Sequence, residues 1–281
     1  MFKNYLATKT DLETIEEGLK AAWRPELNFV FRKKELIGSI IVVSYDSKYI
    51  YLWIPVRNKP GNYFLRKISH SLSIPPEYHY AWYAGLWEKI EELLPASIKK
   101  ASRFAVPRIG GGLLTSFIGL QKSFRTRNNP YTTRESYLAT IIHEFGHIYW
   151  SQHRLWWCSD KKENLQCLKT AIQLYRKQRK TPKIHLWIPC IEGISELFAS
   201  CTEYCASELF WPRHKRNLDL FAQNWLEKLT SDEKKKDLDK EDSVLEPSRD
   251  PHTFAMVYGK ILITYYPRTW FKILFTRPKI F

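Results

Sequence analysis

Two histidines four residues apart, His143 and His147, stand in the segment YLATIIHEFGHIYW, with Glu144 directly after the first. On a helix this spacing puts both imidazoles on one face, one turn apart. Two ring nitrogens so placed reach a single Zn2+ ion at about 2.0–2.1 Å. Glu144 is rotated away from such a metal, yet close enough to contact a water in an open coordination position. Zinc lowers the pKa of that water toward about 7, and a neighbouring carboxylate takes the proton as the water attacks a carbonyl. The three residues therefore suit metal-assisted hydrolysis, with two ligands and one general base. Two core histidines on an ordinary amphipathic helix would show the same spacing. Context favours the site: Tyr137, Leu138, Ile141 and Ile142 give the helix an apolar face that would hold the histidines in a cleft. Gly146 costs a helix about 1 kcal/mol relative to Ala, a penalty that suggests close approach by another backbone or a substrate.

The pattern HExxH, present as His143 to His147, resembles the signature of the zincin metallopeptidases. The resemblance implies a third protein ligand, and two residues compete for that place. In the gluzincin branch, the thermolysin and aminopeptidase N types, it is a Glu on a later helix. Here CIEGISELFAS is similar, with Glu192 as the ligand and Glu196, one turn on, as the acid that holds a ligand imidazole in its tautomer. In the metzincin branch the motif extends to HExxHxxGxxH, and His153 stands at the third histidine position. Trp150, however, occupies the glycine position, where the chain leaves the helix with positive φ, a conformation a bulky aromatic tolerates poorly. Glu192 is the better match. Forty-four residues separate His147 from Glu192, more than in the best-known members, and the excess falls on a basic insertion over 161–183. The resemblance further implies an edge strand that holds the substrate peptide, placed at Leu113 to Phe124, and an oxyanion donor, His252 or Tyr258 in DPHTFAMVYGK.

Several elements must position these residues. Thr10 and Glu13 have the form of a capping box, and Leu12, Ile15, Leu19 and Trp23 follow at helical spacing. FVF, SIIVVSY and YIYLWI read as three antiparallel strands between Leu27 and Pro55. A helix is expected after Pro75 and Pro76, and an extended segment over Phe104 to Phe124, interrupted by Gly110, Gly111 and Gly112. Those glycines lack the Lys and Ser/Thr of a phosphate-binding loop. Helices are then expected over about 132–152, 161–179, 188–209 and 251–265. Residues 231–250 are charged, mixed in sign and poor in large apolar residues, which predicts an exposed connection. The expected fold is α+β and zincin-like. A small antiparallel or mixed N-terminal sheet with helices, over 1–100, packs on a catalytic region, 101–281, with a mainly helical C-terminal lobe.

The 281 residues are 44% hydrophobic, enough for a substantial core. The net charge of +15 concentrates in 101–200, where 15 basic residues face 6 acidic ones. That region would favour an acidic peptide or protein substrate, a polyanion or an anionic membrane surface. Five cysteines without a CxxC pair fit a reducing compartment; Cys201 and Cys205, one turn apart, are expected to pack as apolar residues. MFKNYLATKTDLETIEEG does not read as a secretory signal, and no stretch has the length of a membrane span, so the cytoplasm is the expected location. The expected activity is zinc-dependent peptide hydrolysis. The alternative is a basic nucleic-acid or membrane-surface binding protein in which HEFGH is structural or inactive, supported by the aromatic and basic tail RTWFKILFTRPKIF.

Overall fold

Thr8, rather than Thr10, caps the first helix, α1 (Lys9–Ala21). In the computed structural model, Thr8 Oγ1 accepts from the Asp11 amide at 3.2 Å, and Asp11 Oδ2 accepts from the Thr8 amide at 2.8 Å. The box has moved two residues toward the N-terminus because Asp at the third helical position closes it as a Glu would. The apolar face is as expected, with Ile15 and Leu19 fully buried. The structure describes residues 6–32, 40–56, 59–72, 92, 114–117, 133–152, 191–230 and 251–275. The helix expected after Pro75, the glycines at 110–112, the 161–183 insertion and the 231–250 connection lie outside them.

Two compact units divide the chain, Met1–Gln152 and His153–Phe281. In the first, β1 (Ile40–Tyr45) and β2 (Tyr49–Pro55) form a hairpin from the two runs SIIVVSY and YIYLWI. Asp46 builds its turn: Oδ1 accepts from the amides of Lys48 and Tyr49, both at 2.8 Å. Its Oδ2 accepts from the Ala7 amide at 2.8 Å and the Tyr51 hydroxyl at 2.6 Å, tying the chain ahead of α1 to the sheet. The segment FVF, expected as a strand, is a turn after a short 3-10 helix, Pro25–Leu27. The amides of Val30 and Phe31 both donate to the Leu27 carbonyl, and Phe31 packs edge-on against Tyr149 at 5.3 Å. Its aromatic and β-branched composition reflects burial rather than extension.

The third strand is β3 (Tyr63–Ser69), which pairs antiparallel with β2. A fourth, β4 (Leu114–Phe117), falls inside the expected extended segment and pairs parallel with β1, so the sheet is mixed, in the order β3-β2-β1-β4. The helix bearing the histidines, α2 (Arg134–Gln152), packs on α1 and β4. Gly18 of α1 meets Ile141 of α2 so closely that a Cβ would overlap the Ile141 side chain.

The second unit holds α3 (Ile191–Phe210), α4 (Pro212–Thr230), α5 (Pro251–Tyr265) and α6 (Trp270–Phe275). Together the units make an α+β protein. Helix α4 was not read from the sequence: Pro212 at its first position looks like a terminator, but a missing N–H is tolerated there. Only Trp211 separates α3 from α4, with helical bonds on either side of it. Asp219 then joins α4 to α5, accepting from Lys215 at 2.5 Å and Lys260 at 2.6 Å. Gly259 of α5 approaches Cys201 of α3, and the Trp270 ring lies 5.3 Å from Phe198.

Burial pushes the Cys201 thiol well above its usual range and that of Cys205 up to about 12. Both pack as apolar residues, as expected. The thiolate is the reactive form. Native protein at pH 8 should therefore leave both cysteines almost unlabelled by iodoacetamide, with rapid labelling in denaturant; rapid native labelling at either would contradict their burial. Because the folded pKa values lie above the unfolded ones, these thiols favour folding at neutral pH, and that contribution falls as pH rises past about 9. Gly18→Ala would gain about 1 kcal/mol of helix propensity but overpack Ile141 at a cost of about 1–3 kcal/mol. We expect a net loss of roughly 1 kcal/mol in urea unfolding; a stabilised variant would show that α1 and α2 are less closely packed.

Candidate metal centre

Between residues 136 and 150, α2 is buried at every position but two. The two are Glu144 and His147, three residues apart and therefore neighbours on one face. His143, 8% exposed, borders the same opening. A helix apolar on all sides is normally enclosed by its surroundings. Here the enclosure is interrupted at the motif.

Within that opening the Nε2 atoms of His143 and His147 stand 3.1 Å apart, their rings nearly edge to face at 73°. Two nitrogens bound to one zinc at about 2.0–2.1 Å, at the tetrahedral angle, stand roughly 3.3 Å apart. The donors are thus already at the separation one ion requires. Without a metal, one ring donates to the other, which satisfies a polar pair that burial would otherwise penalise. Gly146 is buried.

The remaining candidates lie on the second unit or outside the described residues. His153 is outside them, as is the side chain of Glu192, although its backbone opens α3. Glu192 stands one turn before Glu196 at the same helical phase. That phase continues through Ser200, Glu203 and Ser207, so α3 carries a seam of polar residues, of which Glu196, Ser200, Glu203 and Ser207 are all buried. Glu196 Oε2 lies 3.0 Å from His252 Nδ1 on α5. The carboxylate is buried, whereas the imidazole beside it is 65% exposed. Tyr258, the other expected oxyanion donor, is 2% exposed and packs 5.4 Å from Phe254. Met256 lies within α5, packed with Tyr204 and Leu218.

One polar pair in the seam escaped the sequence reading. Glu203 Oε1 and His214 Nε2 are 2.8 Å apart, each side chain 2% exposed, joining α3 to α4 across Trp211. The recurrence of Glu and Ser at every third or fourth position of α3 was the available signal. Their separation across a proline-started helix hid it.

No helix among the described residues is long and apolar enough to cross a membrane. Comparison with protein-family models, with curated proteins and with solved structures gave no match.

Proposed function

We propose that this protein is a zinc-dependent metallopeptidase, with His143 and His147 as ligands and Glu144 as general base. The observation that carries the proposal is the opening in α2, which leaves Glu144 and His147 half-exposed on an otherwise buried helix, with His143 at its edge. The donor set suits the ion: two neutral imidazoles are preferred zinc ligands, and a carboxylate completes a common catalytic set. The resemblance assigns that carboxylate to Glu192. When bound, zinc would polarise a scissile carbonyl and acidify a water.

The chain's own residues supply the remaining steps. Glu144, beside the ligands but not aligned with them, takes a proton from the attacking water and returns it to the leaving amine. His252 is the better oxyanion donor of the two candidates. It is exposed and stands beside the Glu196 carboxylate, whereas Tyr258 would have to leave its packed position to meet a substrate. The net positive charge of the chain favours an acidic peptide or protein substrate.

Glu144→Gln should keep its zinc and lose about 10²–10⁴-fold in turnover, read with a quenched fluorescent peptide library and by metal analysis of the same preparation. Activity that survives the change would remove Glu144 from the role of base. His143→Ala and His147→Ala should each lose zinc; retention by both would refute the ligand assignment. Of the two candidates for third ligand, Glu192→Ala should weaken zinc more than His153→Ala, and Glu196→Ala should weaken it by about 10–100-fold as a supporting residue. A loss confined to His153→Ala would transfer the third ligand to His153.

A further inference from the structure

Strand β3 ends the sheet among the described residues, and its side chains are open on both faces. Phe64 is 60% exposed and Leu65 39%, and they point to opposite faces because side chains alternate along a strand. Arg66 follows on the Phe64 face and Lys67 on the Leu65 face, both exposed. Each face of the edge thus offers one apolar and one cationic side chain. Lys67 Nζ lies 3.5 Å from the centre of the Tyr49 ring, a contact that leaves its charge unneutralised. No carboxylate pairs with Arg66 or Lys67 among the described residues.

The surrounding sequence is one-sided in charge. Residues 45–72 contain Lys48, Arg57, Lys59, Arg66 and Lys67 against a single acid, Asp46. Asp46 is 1% exposed and occupied by the hairpin turn. Among the described residues, 45–72 therefore present exposed positive charge and no exposed acid. Exposed edge strands are ordinarily protected by charge, bulges or a covering element, because their unpaired backbone groups recruit other strands. Arg66 and Lys67 repel another cationic edge, including that of a second copy of this chain, but attract an acidic one.

We propose that β3 is a docking edge for an extended acidic peptide segment, which adds beside it as a further strand. Backbone hydrogen bonds along the edge would supply affinity; Arg66 and Lys67 would select Glu or Asp, and Phe64 and Leu65 would cover apolar residues between them. A flat anionic surface, such as a membrane, would engage one face of the sheet. The division of apolar and basic side chains between two faces instead suits a ligand lying alongside the edge. The proposal rests on β3 alone and is independent of the zinc site.

The test uses the full chain and a fluorescein-labelled decapeptide repeating Val-Val-Glu-Glu, which puts valine and glutamate on both faces of the added strand, followed by fluorescence anisotropy. Saturable binding is expected, weakened about tenfold or more in an R66E/K67E double variant and by added salt. Those side chains are exposed, so the variant should keep the wild-type circular dichroism. Phe64→Ser should also weaken binding. A peptide N-methylated along one edge should lose binding, while methylation of the opposite edge should preserve it. The proposal fails if both methylated peptides bind as the parent does, or if a valine–lysine peptide binds equally well. It also fails if the double variant loses binding only to phosphatidylserine vesicles or a dT oligonucleotide, with the acidic peptide never bound.

Discussion

The rest of the first unit is organised by the need to enclose α2. Tyr137, Leu138, Ile141, Ile142, Phe145, Ile148, Tyr149 and Trp150 are all buried, although they surround the helix rather than forming one stripe. Each such side chain contributes about 1.5–3 kcal/mol when removed from water. No single neighbour can cover all of them. Helix α1 covers Ile141 by presenting Gly18, Phe31 meets Tyr149 from the turn before the sheet, and β4 packs on the same helix. Against that enclosure, Glu144 and His147 are the two positions of 136–150 left partly open to solvent. They coincide with the residues proposed to hold and use a metal.

The second unit solves a different problem, polar groups inside a helical core. The seam along α3 buries Glu196, Ser200, Glu203 and Ser207. Glu203 is offset by His214, and Glu196 by His252. Such pairs rarely add net stability over apolar packing, but removing one partner strands the other. The Glu203–His214 pair therefore locks α3 to α4. Glu196 stands beside an imidazole that is itself exposed.

Much of this was legible in the sequence where one force acted alone. The β1 and β2 runs are β-branched and aromatic throughout, and buried along most of their length, so composition located them directly. Helices α2 and α5 were equally clear from apolar density. FVF failed because burial in a turn selects the same residues as a strand. Strand β3 failed for the opposite reason: exposed on both faces, YFLRKIS has no alternation of apolar and polar residues to read. The convergence of His143 and His147 follows from their spacing alone, whereas Glu192, far along the chain, is tied to them only by resemblance. The approach of His252 to Glu196 required the packing of α5 on α3, which no local pattern encodes.

The most direct test of the zinc site is X-ray absorption at the zinc edge, on protein reconstituted with one equivalent of the metal. Two imidazoles and oxygen donors, all at about 2.0–2.2 Å with no sulfur, are predicted. A sulfur scatterer at about 2.3 Å, or protein that fails to retain zinc, would contradict the site on α2.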